Sequence, residues 1–291
     1  MAINLASKAS PKVVERFKLK SCTEGLFTQD YDWTGVATVR VYSVDTLTLN
    51  NYDKSLNAGS TSRFGAMTEV GDTYQEMTVA DDKAFNGSID KGNNSAQLMI
   101  KAASRVLKRE TDEVLIPYVD RYRLEKLAAG AKTKAALSAA LSESNILKTI
   151  MTANAAMSND LVPDEGRVCF IGYTDAINLK LANQVVGIDK LGEKAIVNGV
   201  VGRVDKCQIR VVPDSYMPQV DVSATSTPSM KQVKILIVKT GCACAPKKIE
   251  TFRILEDHPN IDGHVVQGRM LHDCFVLDAK KAGVYALYAN S

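Results

Sequence analysis

Hydrophobic and polar positions follow two periods along this chain, and the changes of period mark its elements. Residues 35–49 (GVATVRVYSVDTLTL) alternate Val with polar residues, which predicts a strand. Residues 50–65 (NNYDKSLNAGSTSRFG) are polar and rich in turn formers. Over 68–90, Met77 and Val79 alternate with Glu76 and Thr78, and Phe85 and Ile89 alternate beyond the ADDK at 80–83. This predicts a long hairpin turning near Asp81 and Asp82. Two strands alone are marginal in water, so a hairpin this polar is either mobile or lies on another surface.

The period then lengthens. Leu98, Ala102, Val106, Val114 and Val119 recur at helical spacing over 94–130, and Gly130 supplies a stop. Such a helix would approach roughly 50 Å, with Pro117 kinking or dividing it. The Ala-rich stretch 134–157 predicts a second helix or pair of helices. Beyond it come a buried strand (166–172), a short helix (173–184) and buried strands at 207–217 and 232–240, a small α/β unit with 218–230 as a loop. Strands return at 247–255, 264–277 and 283–288. The fold class is α+β.

The 291 residues suffice for one large domain or two intimate ones. A net charge of +3 is too small to announce a nucleic-acid binder. No apolar run nears the roughly 20 residues that span a bilayer, so no membrane partner is expected. The N-terminus lacks the apolar core of a secretory signal, which leads to the expectation of a cytoplasmic chain with reduced thiols. The first 35 residues are basic through Lys8, Lys12, Arg16, Lys18 and Lys20, offset by Glu15 and Glu24. They read either as a solvated tail or as an arm tied to a neighbouring subunit or an anionic partner.

Candidate chemistry is sparse. Cys242 and Cys244 sit one residue apart in KTGCACAPKKIE. Structural zinc sites space cysteines more widely and need a second pair. In a strand the two face the same side, as small buried hydrophobes would. His258, His264 and His272 cluster near the C-terminus with no nucleophile and base beside them. NGVVGRV (198–204) has two glycines and no strand–glycine–helix context, so it reads as a turn feeding the next strand. Nothing resembles GxSxG, HExxH or a P-loop lysine. On the long helix Arg109–Glu113, Lys108–Asp112 and Arg121–Glu125 are i,i+4 pairs in the weaker order, base first. Glu69, Asp72, Glu76, Asp81 and Asp82 of the hairpin offer those bases alternative partners.

The order of parts is a basic arm, a long polar hairpin, a very long helix, a small α/β unit and returning strands. It resembles the major capsid protein of tailed double-stranded DNA phages, with the Hong Kong 97 phage fold. Five stretches carry the likeness: 39–55, 63–93, 107–128, 198–216 and 262–287. The resemblance implies an N-arm (1–35), a strand and extended E-loop hairpin (36–92), a P domain with its spine helix (93–165), an A domain (166–240) and P-domain return strands (241–291). It implies subunit contacts through E-loop residues Arg63, Glu69, Asp72, Glu76, Asp81, Asp82 and Lys83. Spine-helix residues Arg105, Lys108, Arg109, Arg121 and Arg123 and arm residues Lys8, Lys12, Arg16, Lys18 and Lys20 join them.

By the same resemblance the chain assembles with itself as pentamers and hexamers in a virion shell, after synthesis in the bacterial host cytoplasm. Its implied partners are a portal protein, a separate scaffolding protein, a decoration protein and, weakly, packaged DNA. No catalysis, cofactor, metal or lysine crosslink is expected. An encapsulin-like compartment, a small-molecule enzyme using the α/β unit, and a phage tail or adaptor protein are the alternatives.

Overall fold

The computed structural model describes residues 20–33, 38–55, 62–96, 102–182, 200–223, 229–256 and 259–290. Two compact units emerge, Asp32–Thr78 and the remainder.

The smaller unit is an antiparallel ribbon. Strand β1 (Thr38–Val44) pairs with β2 (Asp72–Thr78), Thr38 opposite Thr78 and Val44 opposite Asp72. The pairing continues outward in isolated backbone bonds, from Asp45 N–H to Gly71 O and from Asp53 N–H to Arg63 O. The hairpin therefore joins 38–53 to 63–78. Residues 50–55 and 62–65 lie at its far end, and the expected turn at Asp81-Asp82 is corrected. Strand β3 (Asp81–Asp90) pairs instead with the strand at 263–272, Asp81 opposite His272. The two strands face different partners, so their alternation could not report a common turn.

In the larger unit, α1 (Lys91–Ala96) follows β3. Helix α2 (Ala103–Glu110) runs through a π-turn at Thr111–Leu115 into α3 (Ile116–Ala129). Pro117 follows directly on that π-turn, whose wider repeat accommodates the proline ring and its missing N–H within the continuous helix. The π-turn inserts a residue into the helical repeat, so the apolar register changes across it. Val114 consequently faces outward, while Val119, Leu124, Leu127 and Ala128 are buried. A single apolar stripe from Val106 to Val119 is thereby corrected.

The Ala-rich segment is another correction. Residues Thr133–Ala136 form strand β4, added in parallel to the final strand, and only Ile146–Asn159 is helical (α4). Sheet pairing at 133–136 overrides the local helical preference of alanine.

The central sheet has strand order β4-β14-β9-β5-β7-β6, with β8 added alongside β9. Its strands are β5 (Arg167–Gly172), β6 (Val200–Val204), β7 (Cys207–Val212), β8 (Gln219–Asp221), β9 (Met230–Lys239) and β14 (Val284–Tyr288). Helix α5 (Tyr173–Leu181) follows β5. The section expected to stand as its own α/β unit thus shares its sheet with β4 and β14. NGVVGRV is largely strand: Val200–Val204 and β7 form a hairpin whose two turn residues, Asp205 and Lys206, both have positive φ (48° and 65°). Alternate residues of β5 and β9 feed two cores. Val168, Phe170, Leu236 and Val238 pack toward α3, and Cys169, Ile171, Ile235 and Ile237 toward α4 and α5.

A second sheet has order β11-β12-β3, built from β11 (Lys247–Leu255), β12 (Gly263–His272) and β3. The short pair β10 (Ala243–Cys244) and β13 (Phe275–Val276) links it to the central sheet's chain segments.

Candidate subunit interface

The ribbon presents the strongest surface signal. Among its described residues nine large apolar side chains are exposed, including Leu49 (102%), Met67 (99%), Phe64 (76%), Val44 (68%) and Tyr42 (62%). Exposed large apolar side chains gathered on one ribbon make it a candidate interaction surface. Cross-strand pairs order one face: Thr38 bonds Thr78, and Tyr42 meets Tyr74 at 5.9 Å between ring centres. Arg40 Nε donates to Glu76 Oε1 at 2.6 Å, and the guanidinium lies over the Tyr74 ring. That bond holds the exposed Arg40 above its ordinary pKa. At the tip end, Tyr52 meets Phe64 edge-on at 5.1 Å. Gly65 takes a left-handed φ of 87° against Asn50, whose amide bonds Phe64 O. Arg63, Glu69 and Asp72 are exposed on this unit, and Glu76 is committed to Arg40.

Asp81, Asp82 and Lys83, expected at the hairpin tip, lie elsewhere. Asp81 is the hub of a part-buried polar cluster. It accepts the Tyr118 hydroxyl at 3.0 and 3.1 Å, meets Lys83 Nζ at 3.3 Å and lies 3.0 Å from His272 Nε2. His272 is 1% exposed and sits edge-on between the Tyr118 and Tyr122 rings. Neither of its ring nitrogens makes a directed hydrogen bond. Burial pushes the imidazole below its ordinary pKa, partly opposed by Asp81. Its sequence neighbour Asp273 accepts Tyr122 Oη (2.8 Å), Ala80 N–H (3.1 Å) and Cys274 N–H (2.8 Å). Burial and the bond to Asp273 push the Tyr122 phenol upward. Asp82 takes both Arg269 nitrogens, at 2.6 and 3.0 Å, which holds its carboxyl below the usual range. These acids are occupied within the chain by β3's pairing with β12.

The spine-helix bases divide as well. Arg105 and Lys108 are exposed, Arg109 is paired with Glu113 at 3.1 Å, and Arg121 is exposed with Nε on Pro117 O. Arg123 turns inward. It donates to Thr23 Oγ1 and covers the Phe27 ring, and burial lowers its pKa. It serves a strap formed by residues 20–28. There Asp120, 1% exposed, accepts Ser21 Oγ (2.8 Å), Cys22 N–H (2.9 Å) and Thr23 Oγ1 (2.6 Å). Arg210 Nη1 donates to Cys22 O and Glu24 O, and Leu26 enters the core. Lys20 is exposed at the start of the strap, while Lys8, Lys12, Arg16 and Lys18 lie outside the described residues.

Asp120, Asp273 and Arg210 were not singled out from sequence, because an isolated Asp or Arg in a helix or strand carries no pattern. The ribbon's apolar residues were visible in LTLNNY and RFGAM, but the polar turn residues around them outweighed them.

Cys242 and Cys244 are both 2% exposed, and burial pushes each thiol up to about 11. His264 is exposed on β12, and His258 lies outside the described residues. Among the described residues no three His, Cys, Asp or Glu side chains converge as a metal site. No helix among them is long and apolar enough to cross a membrane.

This architecture is the fold of phage capsid subunits, shared across nearly the whole chain. The solved structure from Mycobacterium phage Che8 superposes with a TM-score of 0.75 at 15% identity, covering 97% of this chain and 96% of that one. The capsid of cyanophage P-SCSP1u gives 0.75 at 16%, over 98% and 93%. The acid-stable capsid of Helicobacter pylori bacteriophage KHP30 gives 0.70 at 12%, over 98% and 95%. No protein-family model and no curated protein sequence matches the chain. The likeness is one of backbone fold.

Proposed function

We propose that this chain is a major capsid protein of a tailed double-stranded DNA phage, assembling as pentamers and hexamers into the icosahedral head. The observation that carries the reading is the ribbon. On a capsid-subunit fold it exposes nine large apolar side chains that a free monomer leaves in water. Burying one such side chain fully is worth about 1.5–3 kcal/mol, so their burial against neighbouring subunits is a sufficient driving force. In this reading the ribbon is the E-loop, and the α2–α3 helix with the β11-β12-β3 sheet is the P domain. Residues around 166–240 supply the A domain, and the strap continues the N-arm. Function resides in interfaces, with no catalytic step. A portal, a scaffolding protein, a decoration protein and weak, salt-dependent contact of the arm with DNA complete the assembly. The protein's place is the virion, after synthesis in the host cytoplasm.

Negative-stain electron microscopy of the sized protein tests this. Closed shells or capsomer-sized rings are expected. A small discrete oligomer across salt and concentration, with or without a scaffolding protein, would count against it. Shells enclosing a protein cargo would indicate an encapsulin-like compartment instead.

A further inference from the structure

Three elements converge on one buried side chain without a directed polar partner. His272 ends β12 at 1% exposure, and neither ring nitrogen makes a hydrogen bond. A neutral imidazole carries one donor and one acceptor, so two polar groups stand unpaired in the interior. Such groups are rare in folded proteins and call for an explanation. An acceptor is close by: Asp81 Oδ2 lies 3.0 Å from Nε2 without the alignment of a hydrogen bond. The walls are aromatic. Tyr118 and Tyr122 stack at 6.3 Å, and the imidazole stands edge-on to both, at 6.1 and 5.2 Å.

Charged groups face this ring from every element packed against it. Strand β3 brings Asp81 and, paired with it, Lys83. Asp273 follows His272 in the chain. Helix α3 brings Arg123, and its Lys126 lies over the Tyr122 ring. Strand β11 brings Lys247, opposite His272 in register. The two carboxylates favour a proton on the ring, Arg123 and Lys247 oppose it, and burial opposes it most, so the closed arrangement holds the imidazole neutral.

The same residues fasten the chain where it enters the larger unit. Strand β2 ends at Thr78, and two residues on Ala80 N–H donates to Asp273 Oδ2 at 3.1 Å. Asp81 then pairs with His272 in register and accepts the Tyr118 hydroxyl, while Asp273 accepts the Tyr122 hydroxyl. Two carboxylates flanking one imidazole thus tie α3 to the start of β3 and the end of β12. A protonated ring has two N–H donors and a charge to satisfy. It can do so by turning a carboxylate toward itself or by admitting water. Either course breaks tyrosine–carboxylate bonds.

We propose that this joint is an acid-operated latch: a proton on His272 opens the seam between α3 and the β3–β12 end, as a local event ahead of global unfolding. The latch belongs to the folded subunit and does not depend on the capsid reading.

Hydrogen exchange of the full-length chain at pH 7.5 and 5.5, corrected for intrinsic rates, tests it. Peptides covering 79–83 and 116–123 should exchange about tenfold faster at the lower pH, with the transition below the ordinary imidazole value of 6.5. Peptides from α4 and β5 should not change. His272→Phe keeps a packed ring without a titrating proton and should abolish the response. An unchanged response in His272→Phe would overturn the proposal, as would acceleration of α4 and β5 together with the seam. Where His272→Phe fails to fold, proton NMR of the wild-type imidazole decides. Its titration must coincide with the exchange transition, and a titration at any other pH refutes the latch.

Discussion

Removing the Asp120 carboxylate should release the strap. The side chain accepts three hydrogen bonds from residues 21–23 while 1% exposed. Asp120→Asn keeps an oxygen for Ser21 and Thr23 but sets an NH2 against Cys22 N–H. Loss of that one charge-assisted bond costs about 1.5–3 kcal/mol. Asp120→Ala removes all three, yet the cost does not triple, because residues 20–24 can peel away and hydrate. The ceiling is the free energy of detaching the strap, including Leu26, which is 1% exposed and worth about 1.5–3 kcal/mol when buried. Together these place Asp120→Ala at about 3–5 kcal/mol, the range for breaking a buried charged group's partnership. A chain of this size should then melt roughly 6–15 °C lower. Hydrogen exchange supplies the local readout. The amides of Thr28, bonded to Ala243 O, and Gly241, bonded to Leu26 O, should lose protection with Cys22. Asp120→Asn should fall between wild type and Ala. If Asp120→Ala melts within about 1 kcal/mol of wild type and keeps those amides protected, the carboxylate does not hold the strap.

Four further outcomes are expected. The folded pKa of His272 lies below its ordinary 6.5, so its contribution to stability is complete above that pH and is lost as pH falls through it. Urea titrations between pH 7.5 and 5 should show this slope in wild type and not in His272→Asn; equal slopes would clear His272 of the effect. Arg269→Ala, which breaks only an exposed pair, should leave the urea midpoint in place, whereas Asp81→Ala should lower stability by about 2 kcal/mol or more by stranding Tyr118. Phe64→Lys with Met67→Lys should preserve subunit unfolding and abolish shells on sedimentation; normal shells would remove the ribbon from the interface. Alkylation at pH 8 should be slow at Cys242 and Cys244 in the native state, and a chelator should leave melting unchanged.

Elements whose partners are close in sequence, or whose burial is two-sided, were legible. GRVCFIG and KILIV read directly as core strands because each holds an unbroken apolar run, VCFI and ILIV, and KKIETFRIL and GVYALY followed. The hairpin was misplaced because β2 and β3 are adjacent in sequence but pair with strands on opposite sides of that adjacency. Alternation reports a strand's faces and says nothing of its partner. Strand β4 was hidden by alanine's helical preference, and the π-turn by its lack of any sequence period. Of the residues expected at an interface, Arg63, Glu69 and Arg121 stand out by charge and lie exposed. Asp81 and Arg123 were chosen on the same ground and prove to be internal, since a charge alone does not reveal which way it points.

The central sheet works as a partition. One core, on the α3 side, includes Leu26 of the strap; the other, under α4 and α5, includes no strap residue. Backbone bonds between β5 and β9 close the wall independently of either side. The chain can therefore release residues 20–28 at the price of one chamber's seal while the other remains intact. Detachment of the strap becomes a local opening, separate from global unfolding, that leaves the rest of the fold in place.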